Sequence, residues 1–557
     1  MRPLLLALLA FLVGCPNLTP FGRDDDDDAA NDDDAADDDD AVDDDDSGAA
    51  DDDDTTGADD DDTTGGDDDD STPELTGCEQ ALSGPSNVGC IFWAVDLDNA
   101  ENVVDDAAAG QFAVAVANNS STDTAHVEVT INNADPGQPL QTSVVETQDI
   151  APGSLYMFLL PRRDVDGDWI TLNVDDGPQT WHSSRAFRIE SDNPVVAYQF
   201  NTLDQQFSND ASLLLPQSAL GFNHLVVGWE PNAPIAPPLG PGNRSYVTIV
   251  ANAEGTDVTV TPTYDIVNGP GVPEVSPGVG IVGGTSATFT LGPYDVLNLE
   301  TILINPFQFP MPDMPDLTGT TVSSTERVAV FFGNDLTSIS DNIPQGGNEC
   351  CAEHIEQQIL PNRAMRSQYV VSRSAARVPA DPEIDVYRII ALFDSTTVTT
   401  NLPGDDGFFN LQAKEFRELR TNTGFIVDSS QPVHVAQFLV KGSDAGYIGD
   451  NSLLYVPPVE QRRDSYIFTT GQGFSEHWAV VSMEDGTSAS IDGVPVDGSS
   501  CSGPATDGVL NSITYLTWTC AISEAVHGLQ ADADVGLLVY GYYSAGSYSY
   551  PAGAGLE

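Results

Sequence analysis

The segment that follows Cys78 is dominated by apolar, β-branched runs that recur in a fixed order. The runs start at Val195, Val328, Val433 and Val535, at spacings of 133, 105 and 102 residues. Ser/Asp-rich turn residues precede the middle copies, and each run is apolar and β-branched, so each predicts a buried strand. Because a similar run returns four times, the pattern predicts an internal repeat of strand-rich units.

Two further elements follow the run in the same order. A second apolar segment that ends in proline occupies 210–216 and 450–457, and 353–361 takes the equivalent place. A strand then opens the next unit, at 224–228, 368–372 and 465–469. This density of strands predicts an all-β fold of tandem β-sandwich-like modules of about 100 residues, with a β-propeller-like ring as the alternative. The predicted repeat region is 77–550, with modules at roughly 77–205, 222–335, 366–440 and 463–545.

A different pattern opens the chain. A basic residue precedes the apolar run Leu4–Val13, which is followed by Gly14 and Cys15. The run is shorter than the roughly 20 residues that span a bilayer, and its layout is typical of an export signal. The order Leu-Val-Gly-Cys resembles the lipobox of bacterial lipoproteins, which implies a signal peptide over 1–14 and lipid on Cys15. By the same resemblance, Pro16 in place of aspartate favours the outer membrane; an ordinary secretory signal is the alternative.

The next tract has no apolar face at all. The stretch from Asp24 to Asp70 holds 28 aspartates, nearly all in blocks of four or five, broken by Ala, Thr, Gly and Ser. Like charges repel, so residues 15–76 are predicted to form a disordered, extended acidic tether. About 50 residues at about 3.3 Å each reach at most about 170 Å. The tract lacks the fixed ligand offsets of a calcium loop, so a stalk is favoured over a specific metal site.

The strong negative charge of the chain limits the kinds of partner that it is expected to bind. The chain carries a net charge of −68, and the part beyond Asp70 still has 59 acidic against 17 basic side chains. Nucleic acid and anionic membrane surfaces are repelled by such a surface. We therefore expect no nucleic-acid partner, and membrane contact through the lipid anchor only.

Cysteine usage fits an exported chain. Seven cysteines are present. With Cys15 lipidated, six remain, an even number that predicts three disulfides. The six are Cys78, Cys90, Cys350, Cys351, Cys501 and Cys520. Proximity pairs the first two and the last two, and it leaves the adjacent middle pair either as a vicinal bridge or with other partners.

The strongest metal-ligating pattern is a run of carboxylates that alternate around a glycine. Its members are Asp164, Asp166 and Asp168. Oxygen ligands in this spacing are able to wrap calcium, but the distal bidentate acid of a full calcium loop is missing. A turn of Asp and Gly is therefore the favoured interpretation, with a calcium site as the less favoured alternative. Asp96, Asp98 and Asn99 are a second set, for which capping of a strand end is favoured over calcium. No other cofactor is expected.

The remaining chemistry-bearing residues predict no catalytic site. No two of the seven histidines have metal-ligand spacing. His354, between Glu353 and Glu356, is interpreted as a hydrogen-bonded loop residue, and His434 as part of the core. Nucleophile elbows, phosphate loops and dinucleotide fingerprints are missing from the sequence, so we expect no enzyme. Aromatic residues near the C-terminus either stack on a ligand or pack between strands: Tyr540, Tyr542, Tyr543, Tyr548 and Tyr550.

The stretch Ile91–Asn99, the strand repeats and the stretch Glu353–Gln358 resemble the IgGFc-binding protein N-terminal domain. This domain occurs in large mucin-like secreted animal proteins and in bacterial, notably myxobacterial, exported proteins. The resemblance covers roughly Cys78 to Tyr550. It implies an extracellular, non-enzymatic binding or adhesion role and brings no catalytic residues with it.

Together these features predict a lipid-anchored protein of the bacterial outer membrane, exposed at the cell surface. It would display β modules on an acidic stalk and bind an extracellular protein or glycan. Two alternatives remain open. One is a secreted polysaccharide hydrolase with paired carboxylates, and the other is a structural component of the envelope.

Overall fold

The computed structural model describes residues 77–83, 86–100, 107–167, 170–171, 174–175, 177–203, 208–232, 242–304, 313–341 and 351–556. The predicted signal peptide, Cys15 and the acidic tether lie outside the described residues, as do Asp168 and Cys350. Among the described residues, no helix has the length and apolar character needed to cross a bilayer.

Strands make up nearly all of the regular structure, which confirms the predicted all-β class. A short helix, α1 (Gly77–Ser83), comes first. Short 3-10 turns lie at Ala107–Ala109, Asn362–Ala364, Gly404–Asp406, Gly442–Ala445 and Val459–Gln461. The strands fall into four groups in chain order, each built around one sheet, and we call these groups modules 1 to 4.

Modules 1 and 2 span residues 89 to 358. Module 1 contains β1 (Gly89–Ala94), β2 (Ala113–Asn118), β3 (Ala125–Asn132), β4 (Thr142–Ile150), β5 (Leu155–Leu159), β6 (Ile170–Thr171), β7 (Val174–Asp175), β8 (Trp181–Ser183), β9 (Phe187–Asn201) and β10 (Asp210–Leu214). Module 2 contains β11 (Gly221–Leu225), β12 (Ser245–Ala251), β13 (Thr256–Thr261), β14 (Ile266–Val267), β15 (Val279–Ile281), β16 (Ala287–Leu291), β17 (Val296–Glu300), β18 (Thr321–Thr337) and β19 (Glu353–Gln358).

Modules 3 and 4 span residues 366 to 551. Module 3 contains β20 (Arg366–Val371), β21 (Asp385–Ala391), β22 (Thr396–Thr400), β23 (Phe408–Leu411), β24 (Phe416–Thr421), β25 (Phe425–Leu439) and β26 (Ser452–Tyr455). Module 4 contains β27 (Arg463–Thr469), β28 (Glu476–Glu484), β29 (Ala489–Ile491), β30 (Val494–Pro495), β31 (Ser502–Leu510), β32 (Ile513–Ile522), β33 (Val526–Tyr542) and β34 (Ser547–Pro551).

The four sheets repeat one topology. Their strand orders are β4-β3-β9-β2-β5, β16-β13-β18-β12-β17-β8, β23-β22-β25-β21-β24 and β30-β29-β33-β28-β32-β31. In each sheet the central long strand also pairs with the first and the last strand of its module. One strand leaves its own module, because β8 pairs antiparallel with β17 in the sheet of module 2.

Each long strand works in two halves. In β9, the first half pairs with β1 and β3, and the second half pairs with β2 and β10. The first half alternates between buried and exposed side chains, whereas the second half is buried throughout. The same change of pattern occurs in β25. The recurring apolar run of the sequence is this second half, which is covered on both faces and therefore needs apolar residues at successive positions.

The last strands of the four modules meet at the centre of the molecule. They contact one another in cyclic order, β10 with β19, β19 with β26, β26 with β34, and β34 with β10. The side-chain amide of Gln357 on β19 donates to the carbonyl oxygens of Ala211, Leu453 and Ser549 at 2.9, 3.0 and 3.4 Å. One buried side chain thus joins strands from all four modules. The modules form a closed ring, the alternative to a linear row of sandwiches.

The two ends of the described chain close this ring. The backbone N–H of Asn87 donates to the carbonyl of Ala554 at 3.1 Å, and Ser86 forms a β-bridge with Gly555. The hydrophobic cores are shared in the same way, since one core combines residues of modules 1 and 4 and another combines modules 3 and 4. A third core runs through modules 1, 2 and 3. Each module is therefore stabilised by apolar surface that its neighbours cover.

The disulfides follow the predicted proximity. Cys78 bonds to Cys90 and Cys501 bonds to Cys520, which confirms both pairs. Cys351 is disulfide-bonded as well, and its sequence neighbour Cys350 lies outside the described residues.

Candidate metal centre

Two of the predicted calcium ligands meet a member of the second predicted set. Asp98, Asp164 and Asp166 each offer a carboxylate oxygen, and these atoms all lie within 4.8 Å of one another. All three side chains are buried, at 3%, 0% and 1% exposure. Within the described part of the chain this is the one such group of His, Cys, Asp or Glu side chains. The turn interpretation of the 164–168 stretch is thus incomplete, because the turn faces a third acid some 66 residues earlier in the chain.

Backbone contacts hold the two segments together. Asp96 and Asp164 form a parallel β-bridge, and the Val165 N–H donates to the Asp96 carbonyl at 2.9 Å. The Asp96 side chain accepts from the Arg163 N–H at 2.8 Å. Asp96 therefore docks the segment 163–165 and is not a member of the group, while Asp98, two residues on, is.

Asn99 was considered as a strand cap or a calcium ligand, but in the structure it joins two segments of module 1. Its amide nitrogen donates to the carbonyl oxygen of Ser208 at 3.0 Å and lies 3.5 Å from that of Asn201. Its own carbonyl oxygen accepts from the Ala100 N–H at 2.7 Å. Asn99 ties the loop after β1 to the end of β9 and supplies no oxygen to the acidic group.

The next part of the chain closes over Asp166. The Gln179 N–H donates to Asp166 Oδ2 at 3.2 Å. A Cβ atom at Gly177 would lie only 2.5 Å from the same oxygen, so glycine is what lets the backbone pass so near the carboxylate. A few residues later, β8 joins the sheet of module 2. The loop that carries Asp164 and Asp166 is thereby continuous with a strand of the neighbouring module.

Module 2 adds two more acids to this region. Asp335, at the end of β18, interacts with the side chain of Asp98 and accepts from the Arg244 N–H at 2.9 Å. Glu300, the last residue of β17, accepts from the Asn298 amide at 2.8 Å, and its second oxygen lies 3.7 Å from Arg244 Nε. Both carboxyl side chains are buried. We call Asp98, Asp164, Asp166, Glu300 and Asp335 the acidic cluster.

Burial dominates the electrostatics of the acidic cluster. Burial raises the pKa of Asp164 well above its ordinary value, and the charge of Asp166 raises it further. Burial also raises the pKa of Asp166 well above its ordinary value, followed by repulsion from Glu300. Burial raises the pKa of Glu300 to about 8 and that of Asp335 to about 7, in spite of the nearby Arg244. Ionised carboxylates here need a compensating positive charge.

Glu300 and Asp335 were not expected from the sequence. They lie more than 130 residues beyond Asp164, so no local spacing connects them with it. One signal was present, because Glu300 ends the mainly apolar strand Val296–Glu300, where a buried charge requires an explanation. The third aspartate of the predicted run, Asp168, lies outside the described residues.

The predicted acidic histidine lies at the centre of the ring. His354 is fully buried in β19, a strand and not the predicted loop, and its Nε2 lies 3.3 Å from Glu356 Oε2. Glu356 Oε1 accepts from the Gln199 amide at 2.9 Å and from the Ser212 hydroxyl at 3.1 Å. These contacts link β19 to strands of module 1. His434 is buried in β25, which confirms its assignment to the core.

The C-terminal tyrosines are packing residues. Tyr540, Tyr542, Tyr548 and Tyr550 are at most 1% exposed. Their hydroxyls are engaged inside the protein; Tyr540, for example, donates to Gln437 Oε1 at 2.9 Å. Stacking on a ligand is excluded for these four rings in this structure, and packing between strands is the explanation that holds.

Comparison with known proteins identifies one family. A family model described as IgGFc binding protein matches residues 210–541, which is more than half of the chain and covers most of modules 2 to 4. No curated protein is similar enough to the chain to count as a match.

Two solved structures of Escherichia coli alpha-2-macroglobulin also show a likeness. The trypsin-activated protein is 11% identical over 86% of this chain and 42% of its own, with a TM-score of 0.11. The protein activated by porcine elastase is 11% identical over 83% of this chain and 43% of its own, with a TM-score of 0.12. The chain spans less than half the length of these structures, and TM-scores this low carry no argument about fold.

Proposed function

Because the chain belongs to the IgGFc binding protein family, we propose that it is a lipid-anchored protein of the bacterial outer membrane that binds an extracellular protein or glycan at the cell surface and catalyses no reaction. The observation that carries the binding role is the family match across modules 2 to 4.

The N-terminal sequence supports the anchor and the display. The apolar run Leu4–Val13 before Gly14 and Cys15 has the layout of a lipoprotein signal. The aspartate-rich tract that follows has the composition of a chain that stays extended by self-repulsion. A lipid on Cys15 and a tether of this composition would hold the ring at a distance from the membrane.

The charge of the protein supports a partner with a neutral or basic surface. The net charge is −68, with 19 basic side chains in 557 residues. Such a field speeds encounters with basic partners and repels polyanions. A basic protein surface or a neutral glycan fits this field, whereas nucleic acid does not.

The use made of the buried acids supports a non-catalytic role. Asp210 on β10 accepts from the Ser452 hydroxyl at 2.8 Å and from the Glu356 N–H at 3.2 Å, and so links strands of three modules. Glu356 is bound in the same way by Gln199 and Ser212. These carboxylates join strands at the centre of the ring, where a macromolecular substrate has no access.

The test is surface accessibility of the anchored protein. Cells that express the full chain are labelled with palmitate and then treated with protease, either intact or after lysis, and the fragment from Cys78 onward is followed by antibody. We expect label on the protein and loss of the fragment from intact cells. Cys15→Ser is the matched variant, and it should lose both the label and the membrane association.

Two results would overturn parts of this proposal separately. A labelled protein whose fragment survives in intact cells but not in lysed cells faces the periplasm, which excludes surface binding. An unlabelled protein that is released into the medium excludes the anchor. If display is established, the ring is then used to capture partners, and turnover of a polysaccharide by the purified protein would exclude the non-catalytic role.

A further inference from the structure

The acidic cluster has an excess of buried negative charge that the protein does not neutralise itself. Its five carboxyls come from two modules, and the cations that act on Asp164, Glu300 and Asp335 include Arg162 and Arg244. Moving an isolated carboxylate out of water costs far more than a fold of this kind gains from a single contact. Such a cluster requires either protons or a bound cation.

Unused oxygens point to a cation. Oδ2 of Asp166 is engaged by the Gln179 N–H, but Oδ1 accepts no hydrogen bond from an N–H or a hydroxyl group although the residue is only 1% exposed, and the carboxyl faces that of Asp164. Glu300 in module 2 is partly similar, because Oε1 is engaged by Asn298 and the fully buried Oε2 accepts no hydrogen bond, although Arg244 Nε lies 3.7 Å from it. Buried acceptors without donors are rare, and a metal ion is one of the explanations for them.

The separation of the ligand oxygens fits a shared ion. Calcium binds oxygens at about 2.3–2.6 Å, so two ligands on opposite sides of one ion lie about 5 Å apart. The oxygens of Asp98, Asp164 and Asp166 lie within 4.8 Å of one another. We propose that these three carboxylates bind a calcium ion, and that the ion, with Glu300 and Asp335 around it, fixes module 1 to module 2. An all-oxygen, all-acid ligand set favours hard cations, and irregular geometry suits calcium better than magnesium.

The ion would act at a junction that the backbone already crosses. The segment 163–165 is docked on Asp96, and the chain beyond Asp166 continues into β8, which pairs with β17. Glu300 is the last residue of β17, and Asp335 interacts with Asp98. Calcium at this position would draw together the loop of module 1 and the strand ends of module 2. This inference is independent of the lipid anchor and of the surface partner.

Terbium luminescence is a direct probe, because terbium occupies calcium sites and emits when a neighbouring aromatic ring is excited. The Tyr246 hydroxyl donates to the Asp98 carbonyl at 2.9 Å, and Trp181 lies beside Gly167. The acidic tether contains no Trp or Tyr, so weak binding there gives no sensitised signal. We expect the purified full chain to show saturable sensitised emission that calcium displaces, and a higher melting temperature in calcium than in chelator.

The variants separate this site from general acidity. Asp166→Asn and Asp164→Asn should each weaken terbium binding by about 100-fold or more and abolish the melting shift, since loss of an outer partner alone costs about 10–100-fold. Asp428→Asn, an exposed aspartate on β25, removes the same charge and should change neither result. Circular dichroism shows whether each variant is folded.

The proposal fails on either of two results. A wild-type protein without saturable sensitised emission and with equal melting temperatures in calcium and in chelator has a cluster that is neutralised by protons alone. Emission that survives in both folded Asp→Asn variants places the ion elsewhere. The wild-type result decides the matter even if both variants misfold.

Discussion

The acidic cluster at the junction of modules 1 and 2 differs sharply from a second set of buried charges in module 3. In module 3, Arg377 Nε lies 3.1 Å from Glu383 Oε1, and both side chains are fully buried. The remaining donors of Arg377 reach the carbonyl oxygens of Val440 at 2.9 Å and Asp450 at 3.2 Å. Each side-chain nitrogen of this arginine makes a hydrogen bond. Glu383 Oε2 and Asp166 Oδ1 both lack a hydrogen-bond donor, but Glu383 is paired with a buried cation through its other oxygen.

The pKa values of the two regions move in opposite directions. Burial acts to raise the pKa of Glu383, but the charges of Arg377 and Arg373 and nearby N–H donors lower it below its ordinary value. The pKa of Asp166 is raised well above its ordinary value by burial and by Glu300. Burial is common to both carboxyls, so the nearby charge decides the sign.

A third carboxyl has neither a paired arginine nor a proposed cation site. Asp507 in β31 is 1% exposed and accepts from the Thr517 hydroxyl at 2.5 Å. Burial raises its pKa to about 7, although Arg462 opposes this. The molecule thus offers three answers to a buried acid: a paired arginine at Glu383, a proton at Asp507, and, as proposed, an external cation at Asp166. Each answer predicts a different response to mutation, pH and calcium.

The largest expected effect comes from breaking the arginine pair. Arg377→Met leaves Glu383 buried beside a neutral side chain, and loss of one partner of a buried pair costs about 3–5 kcal/mol. We expect the urea midpoint of the variant to lie below that of the wild type, and the decrease to be equal in calcium and in chelator. The matched control is Arg417→Ala, whose partner Asp406 is 35% exposed and whose loss should cost less than about 1 kcal/mol.

A calcium-dependent loss in Arg377→Met would contradict the comparison, because it would couple the two regions. An effect as small as that of Arg417→Ala would mean that Arg373, whose NH2 lies 3.8 Å from Glu383 Oε1, neutralises the acid alone.

The second effect, of intermediate size, depends on pH. Between about pH 4 and pH 7 the folded protein keeps a proton on Asp507 that the unfolded chain releases, so this residue lowers stability as the pH rises through that window. Asp507→Asn removes this pH-dependent loss of stability. As the pH rises from 5 to 8, the free energy of unfolding of the variant should increase by about 2–3 kcal/mol relative to that of the wild type. Urea unfolding at both pH values measures this difference.

The contribution of Glu383 to stability changes with pH in the opposite direction to that of Asp507. Its folded pKa is lowered, so its stabilising contribution is present above the unfolded pKa of about 4.3 and is lost as the pH falls through the folded value. Glu383→Gln should therefore cost stability at pH 8 and progressively less on acidification below pH 4. Parallel pH profiles for Asp507→Asn and Glu383→Gln would refute the assignment of opposite shifts.

The sequence predicted the repeat because the second half of each long strand is buried on both faces and must be apolar. It did not reveal β34 as the fourth central strand, since the alternation of Ser and Tyr in Ser547–Pro551 is equally typical of an exposed aromatic tail. Only closure of the ring, through Asn87 and Ala554, shows that this strand is enclosed.

The sequence predicted some residues of the candidate site but not how they come together. The spacing of Asp164 and Asp166 marked a calcium candidate, and Asp98 was marked as a weaker one. Their meeting depends on the bridge between Asp96 and Asp164, a contact between distant segments that no local pattern contains. Glu300 and Asp335 are added by the packing of module 2, which is a property of the ring and not of either strand.

The smallest effect is the most discriminating, because its size depends on calcium. Glu300→Gln removes a buried ionisable group whose negative charge, when the group is ionised, repels Asp166, and it keeps an acceptor for the Asn298 amide. In chelator we expect stability to rise by about 1–2 kcal/mol, since burial of the new amide offsets part of the relief. In saturating calcium the same change removes a favourable negative charge near the ion, so the stabilisation by calcium should shrink. Glu274→Gln, at an exposed position of module 2, should alter neither value. Equal changes in the two buffers would show that Glu300 acts on folding alone, and they would separate Asp98, Asp164 and Asp166 in module 1 from the acids of module 2.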